Sequence, residues 1–178
     1  FASIAALLLL APFAAIANAQ TKVAIIDQAQ IMGESKAGKD ISQKLRNIAE
    51  QINKEMKPDA DWLKREGESL ETKTKPMNRQ AILGDQALVA RIKTFDDRQK
   101  GFVAKSQTRA AELELTRRKA WADFFQALAP ALQAVIDENQ AEVVLDKNAV
   151  IHVADSVDLT SQVIAKLDTS TPTITVTK

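Results

Sequence analysis

The residues that could carry out chemistry in this chain of 178 residues are few and scattered. There is no cysteine and only one histidine, His152, so neither a Cys–His nor a Ser–His–Asp arrangement has its parts in a plausible geometry. The adjacent carboxylates Asp96-Asp97 and Asp137-Glu138 lie among many other charges, which is typical of a solvated helix surface. No glycine-rich phosphate loop is present in the sequence. The sequence therefore predicts a protein that is not an enzyme and needs no cofactor or metal.

Positive charge is concentrated in one segment, 72–109. Nine basic and three acidic residues give this segment a net charge of +6, although the whole chain carries only +1. Each single lysine there is best interpreted as part of a solvated helix surface, but a field of one sign attracts anionic partners. We therefore predict a binding surface for such partners that includes Lys73, Lys75, Arg79, Arg91 and Lys93.

The element that must carry these residues is a helix-forming stretch of about a hundred residues, 35–139. Apolar residues recur at helical spacing over 41–70 and again, less regularly, over 82–135. A pattern of this length predicts a long antiparallel helical hairpin, because it cannot wrap around a compact core. Many positions of the return stripe are polar or small, so we expect the two arms to pack weakly. Pro58 is expected to kink the first arm.

Two signals place the tip of the hairpin near 75–85. Pro76 disfavours helix at the residues before it, and Asn78 is a suitable cap for the returning helix. The return arm is longer than the outgoing one, which leaves two alternatives. Either Pro130 breaks the base of the return helix, or the tip lies nearer Gly84-Asp85.

Two short β-rich segments, 20–34 and 140–168, flank the hairpin and can meet at its base. Their apolar runs predict strands over 21–27, 141–145 and 149–154. The third of these strands would contain His152, for which we expect a structural role. After it, Asp158 is a suitable N-cap for a short helix in which Leu159, Val163 and Leu167 recur at helical spacing.

This small body predicts self-association. About 44 residues without disulfides or metal cannot bury enough apolar surface alone, so we expect the core to be shared between copies. The predicted fold is α+β, a small β-sheet oligomerisation body that carries a long antiparallel helical hairpin. The residues predicted to form the shared core are Val23, Ile25, Val143, Val144, Leu145, Ile151 and Val153.

The two ends of the chain carry different signals. Residues 1–19 form an apolar run that closes in Ala17-Asn18-Ala19, which predicts a signal peptide cleaved after Ala19 and hence secretion. At the other end, residues 169–178 are threonine-rich and are expected to form a flexible, frayed tail or a weak edge strand.

The complete layout resembles the Skp/OmpH family of periplasmic chaperones for outer-membrane proteins. The similarity begins with KVAIIDQAQIM and the helix start at Ser35 to Lys39, and continues through a charged hairpin with a proline near its tip. Its most specific part is EVVLDKNAVIHVADSVDLTSQVIAKLD, from Glu142 to Asp168. The resemblance implies a periplasmic homotrimer whose β body carries three arms around a cavity. It also implies that this cavity holds unfolded outer-membrane proteins without ATP.

The resemblance implies a set of partners as well. Unfolded outer-membrane β-barrel proteins would be the clients. Independently of the resemblance, the positive charge of the arms predicts a contact with anionic lipid or lipopolysaccharide headgroups, and secretion makes nucleic acid an improbable partner. Met56, Trp62 and Met77 would offer adaptable apolar contact to clients. Trp62 has two alternatives, since it could face a cavity or pack in the seam. The competing hypothesis is a structural coiled-coil spacer of the cell envelope, which would be a stiff rod without affinity for unfolded protein.

Overall fold

The structure, a computed structural model, describes residues 21–177. The predicted signal peptide, 1–19, lies outside the described residues. In the sequence, one short strand precedes two long helices and another follows them. In chain order the elements are β1 (Val23–Ile26), α1 (Gln28–Glu34), α2 (Lys36–Thr74), α3 (Arg79–Gly84), α4 (Gln86–Asn139), β2 (Val143–Asp146) and α5 (Thr160–Ser170), with 3-10 helices at Lys147–Ala149 and Asp155–Val157.

The sheet of the body has two strands, β1 and β2, which run parallel. Val23 lies opposite Val143, and Ile26 lies opposite Asp146. Parallel pairing requires a long crossover connection, and the whole hairpin serves as that connection. On its other side, β1 contacts the segment before α5, where the Leu159 N–H donates to the carbonyl oxygen of Ile25 at 2.9 Å. Both edges of β1 are therefore occupied, whereas β2 is an edge strand in the described part of the chain.

The third strand predicted over 149–154 is wrong. Residues 147–149 form a 3-10 helix, and residues 150–154 belong to no regular element. The Asp146 side chain accepts a hydrogen bond from the Asn148 N–H at 2.8 Å, and this local turn ends β2. The following residues do not pair with the free edge of β2 within residues 21–177. His152 is consequently exposed and lies outside any strand.

The core of the molecule lies where the C-terminal half of α4 packs against α5 and the N-terminal part of α2. Phe124 and Val135 of α4 are fully buried there against Ile41 of α2. Val163 and Leu167 of α5 are also fully buried, as their helical spacing predicts. The base of the hairpin is thus fixed to the body by apolar packing.

The two arms of the hairpin are continuous and unequal. The outgoing helix α2 has 39 residues and the return helix α4 has 54. Each contains a proline, Pro58 or Pro130, and the helix continues past it, so the alternative in which Pro130 breaks the return helix is wrong. Lateral packing is sparse, because no residue of α4 between 89 and 115 is fully buried. The outer parts of the arms are therefore held together by few apolar contacts, which favours bending and splaying.

The tip is a turn over residues 75–78 followed by the short helix α3. Asn78 begins α3 as predicted, since its side chain accepts a hydrogen bond from the Ala81 N–H at 2.9 Å. A second break follows at Asp85, whose carboxylate accepts from the Leu88 N–H at 3.0 Å and begins α4. The turn at 75–78 and the break at Asp85 thus correspond to the two predicted positions of the tip.

The C-terminal residues after α5 contact the base of the hairpin. Ile174 is buried, and its backbone N–H donates to Asp40 Oδ2 at 3.1 Å. Lys44 Nζ in turn donates to the carbonyl oxygen of Ile174 at 2.7 Å. This placement contrasts with the flexible tail predicted over 169–178. The buried side chain of Ile174 and its two polar partners on α2, Asp40 and Lys44, hold this segment in place, although its sequence favours neither helix nor sheet.

Candidate functional site

Most of the basic side chains predicted to bind anionic partners already have acidic neighbours. Lys73 pairs with Asp85 at 3.0 Å, and Lys93 pairs with Asp97 at 2.5 Å. Arg91 reaches across the hairpin to Glu66 at 2.8 Å and also donates to Ser69. These three cations are therefore partly neutralised within the arm.

The charge of the outer hairpin is accordingly smaller than the linear segment indicates. The count of +6 over 72–109 omits the opposing part of α2. When the count covers 55–109, twelve basic and nine acidic residues give a net charge of +3. Antiparallel packing brings Glu55 beside Lys105 and Arg109, at 3.1 and 3.0 Å. The outer hairpin remains positive, but its net charge is about half of the value counted over 72–109 alone.

Two cations at the tip remain available. Lys75 and Arg79 flank the turn, are exposed, and form no ion pair within residues 21–177. Leu83 lies beside them in α3 with 62% of its surface exposed, and Met77 is half-buried. The tip therefore combines free positive charge with an exposed apolar side chain.

The two remaining arm residues of the predicted site have different environments. Met56 is buried between the arms and belongs to the seam. Trp62 is half-buried, with its ring centroid 6.4 Å from that of Phe95. Its other neighbour is Arg98, whose guanidinium carbon lies 4.3 Å from the ring centroid. Arg98 is not distinguished from the other basic residues by the sequence, because no linear signal identifies a stacking partner on the opposite helix.

The residues predicted to form the shared core divide into two groups. Ile25 is buried within the single chain, and Val144 and Val153 are half-buried. The other four are large apolar side chains that remain exposed. They are Val23 (40% exposed), Val143 (38%), Leu145 (40%) and Ile151 (107%).

The turn after β2 is held by an ion pair to the beginning of α5. Lys147 Nζ lies 2.8 Å from Asp158 Oδ2, and Asp158 Oδ1 accepts the Thr160 N–H at 3.0 Å. The structure places the N-cap of α5 at Leu159, one residue after the predicted Asp158. The hydrogen bond from Lys147, followed by those from Thr160, lowers the pKa of Asp158 from 3.8 to about 2.

We predict that Asp158→Asn destabilises the protein at neutral pH but not in acid. A carboxylate whose pKa is lowered in the folded state contributes stability above its ordinary pKa and loses it as the pH falls from about 4 to 2. For a shift of this size the contribution is about 2 kcal/mol at most. Unfolding free energies at pH 7 and near pH 2 measure it, and Asp155→Asn is the control, because Asp155 is exposed and forms no ion pair in the described part of the chain. A difference that persists unchanged in acid would contradict the assignment.

Within residues 21–177 no group of three or more histidine or acidic side chains is arranged to hold a metal ion. In the same range, no helix combines the length and the apolar character needed to cross a membrane.

Comparisons with known proteins agree with this architecture. Residues 22–167 match the family described as outer membrane protein (OmpH-like). Among solved structures, the chain is similar to a protein of Caulobacter crescentus proposed to be an outer membrane chaperone (OmpH-like). The two share 28% identity and a TM-score of 0.73, with 88% of this chain and 89% of that chain covered. No protein of curated function matches the sequence significantly.

Proposed function

The chain belongs to the family of OmpH-like outer membrane proteins, and on this premise we propose that it is a periplasmic holdase chaperone. It binds unfolded outer-membrane proteins between its helical arms and prevents their aggregation without ATP. The observation that carries the proposal is the construction of the hairpin. Its arms extend far from the core, pack sparsely, and present half-buried aromatic side chains and free cations. Such a surface suits many weak contacts with an unfolded chain.

Client capture would begin at the tip. Lys75 and Arg79 are the free cations there, and long-range charge acts mainly on the rate of encounter. Apolar contacts along the arms would then retain the client. Anionic lipid or lipopolysaccharide headgroups are a second class of partner for the same cations.

We further propose that the working form is a homotrimer assembled through the body. The number three comes from the family resemblance, and the need for association comes from the exposed apolar side chains around β2. The edge of β2 and the unpaired segment 150–154 lie next to each other in the sequence, so a partner copy could complete the sheet with this segment. Ile151, whose side chain is fully exposed within residues 21–177, would be covered in that assembly.

Replacement of Ile151 by aspartate is expected to dissociate the oligomer and leave the hairpin folded. A charge buried without a partner costs several kcal/mol, so the concentration for half-dissociation should rise roughly 100-fold or more. Sedimentation measures the change. Leu115→Asp is the matched control, because Leu115 is 65% exposed on α4, far from the sheet in sequence. An unchanged mass for Ile151→Asp, or a folded monomer for the wild type at micromolar concentration, would contradict assembly through this segment.

The direct test of the proposed function is suppression of aggregation. A denatured outer-membrane β-barrel protein is diluted from urea with or without the mature protein, in nucleotide-free buffer that contains a chelator, and light scattering is recorded. We expect scattering to be suppressed at about stoichiometric concentrations of chaperone. The competing function, a stiff coiled-coil spacer, predicts no suppression, and strict dependence on ATP would also overturn the proposal.

We predict that the double variant Lys75→Glu/Arg79→Glu slows client association. The association rate at low salt should fall about 3- to 10-fold, and the dissociation rate should change little, because steering acts before contact. The difference should shrink near physiological ionic strength, where the screening length is about 8 Å. Stopped-flow binding of a denatured β-barrel client measures both rates.

The matched control for this experiment is Lys39→Glu/Lys54→Glu. It changes the net charge by the same amount, and both lysines are exposed on α2 away from the tip, without an ion pair in the described part of the chain. If both double variants associate equally fast, only the total charge matters and the tip has no special role in capture.

A further inference from the structure

An aromatic cluster lies in the half of the arms that is nearer the tip, away from the core. Trp62 of α2 packs near Phe95 of α4, and Phe102 lies about two turns further along α4. A groove of about 430 Å³ opens beside them, with Trp62, Leu63 and Phe102 among its lining residues. Gly101 also lines the groove, and a methyl group added there would meet nothing within 4 Å. The groove could hold one large side chain of a bound polypeptide.

Some charged side chains around the groove have an ion-pair partner within the described residues, and others have none. Lys105 is paired with Glu55, and Asp97 is paired with Lys93. Arg98 forms no hydrogen bond or ion pair within residues 21–177, and its guanidinium rests on the ring of Trp62.

Arg98 thus covers the aromatic ring of Trp62, and a ligand can displace it because no hydrogen bond or ion pair within residues 21–177 holds it there. A cation–π contact at an exposed site is weak. In the stacked position the guanidinium N–H groups of Arg98 form no hydrogen bond within residues 21–177, so they are free to donate to a carboxylate. The outer hairpin as a whole is positive, at +3 over 55–109, and this favours an acidic ligand.

We propose that Trp62, Arg98 and Phe102 form a client-binding site for an aromatic side chain that has a carboxylate close to it in an extended polypeptide. This inference rests on the proposed function and names the client feature that is bound. The aromatic ring replaces the guanidinium over Trp62, and the contact between the two rings stabilises the complex beyond the burial of apolar area. The displaced Arg98 then donates charge-assisted hydrogen bonds to the neighbouring carboxylate.

One acidic residue opposes this ligand. Asp59 also lines the groove and forms no ion pair in the described part of the chain. Its negative charge weakens binding of a carboxylate and should therefore act against the site. Asp59→Asn is expected to strengthen binding of the acidic aromatic ligand, whereas a merely structural role of Asp59 predicts no such gain.

The test uses short peptides and the mature protein with Trp121→Phe, in which Trp62 is the only tryptophan. The probe is an acetylated, amidated peptide of sequence Ser-Gly-Phe-Gly-Asp-Gly-Ser, compared with versions in which Phe is replaced by Leu or Asp by Asn. Binding is followed by the fluorescence of Trp62. We expect the Phe/Asp peptide to bind at least about 3- to 5-fold more tightly than either altered peptide, an effect that corresponds to about 1 kcal/mol. Equal binding of the three peptides would overturn the proposal.

Variants separate the two parts of the site. Arg98→Ala should abolish the preference for Asp over Asn but keep the preference for Phe over Leu. Because Trp62→Leu removes the fluorescent probe, its binding is measured by NMR line broadening of the peptide, and it should abolish the preference for Phe. Phe125→Leu is the matched control, since Phe125 is an exposed aromatic residue of α4 outside the groove. If Phe125→Leu has the same effect as Trp62→Leu, binding is unspecific and the site is wrong.

The assay of aggregation suppression, run in parallel on the wild type, separates this proposal from the proposed function. Suppression of aggregation without discrimination among the peptides would remove the site and keep the chaperone function. Discrimination among the peptides without suppression of aggregation would keep the site and remove the holdase function.

Discussion

Replacement of Gly38 by alanine is expected to destabilise the protein by about 2–3 kcal/mol, the usual cost of forcing extra volume into a packed site. Gly38 lies in the first turn of α2, directly beside the end of α1. A methyl group there would sit 1.8 Å from the backbone oxygen of Met32 and 3.1 Å from the hydroxyl of Ser35. The oxygen belongs to the backbone, so it cannot move without shifting α1. The same hydroxyl accepts the Gly38 N–H at 3.1 Å and caps α2.

The sign of this prediction opposes simple helix propensity. Alanine is favoured over glycine in a helix by about 1 kcal/mol, so Gly→Ala should stabilise where space is available. Gly33 of α1 provides that control, because a methyl group there would meet nothing within 4 Å. Urea denaturation at one fixed protein concentration compares the two variants. If Gly38→Ala is as stable as Gly33→Ala, the close approach of α1 and α2 is not real.

Truncation of Phe124 to alanine is expected to cost about 3–5 kcal/mol, the range observed when a large aromatic side chain is removed from a core. Phe124 is fully buried where α4 meets the body, and its ring packs edge-on against Trp121 at a centroid distance of 5.4 Å. Its loss leaves a cavity at the junction that fixes the arm to the body. The arm should also become more mobile at its base, which hydrogen exchange of α4 amides measures.

The neighbouring residue is a matched control for this experiment. Phe125 occupies the next position of the same helix and is 42% exposed, so both variants change helix propensity equally. Phe125→Ala should cost only about 1 kcal/mol or less in unfolding free energy. Equal losses in the two variants would contradict the burial assigned to Phe124.

The hairpin could be predicted from the sequence because its signals are local. Apolar spacing identifies the two arms, and Asn78 marks the start of the helix that follows the turn. Helix continuity was harder to judge. The prolines at 58 and 130 have strong local effects in isolation, but in each case the helix continues on both sides.

The third strand shows why other features could not be predicted. Residues 149–154 have the composition of a strand, yet they follow β2 directly through a local turn and pair with neither strand within residues 21–177. The tail over 169–178 shows the opposite case. Its own sequence favours no structure, but Ile174 finds a buried position and two polar partners on α2.

The sequence by itself determined the α+β class, the long hairpin and the small apolar body, because these depend on composition, periodicity and caps within short windows. The resemblance to the family rests instead on the sequence motifs that flank the hairpin. Only the tertiary structure decided which charges are free. Glu55 and Glu66 come to lie opposite basic residues that are 25 or more positions away, and this reduces the apparent charge of the arm. It also decided that Arg98 covers Trp62. Such contacts depend on the register of two helices across the hairpin, and that register is set by packing summed over the whole seam and not by any local pattern of residues.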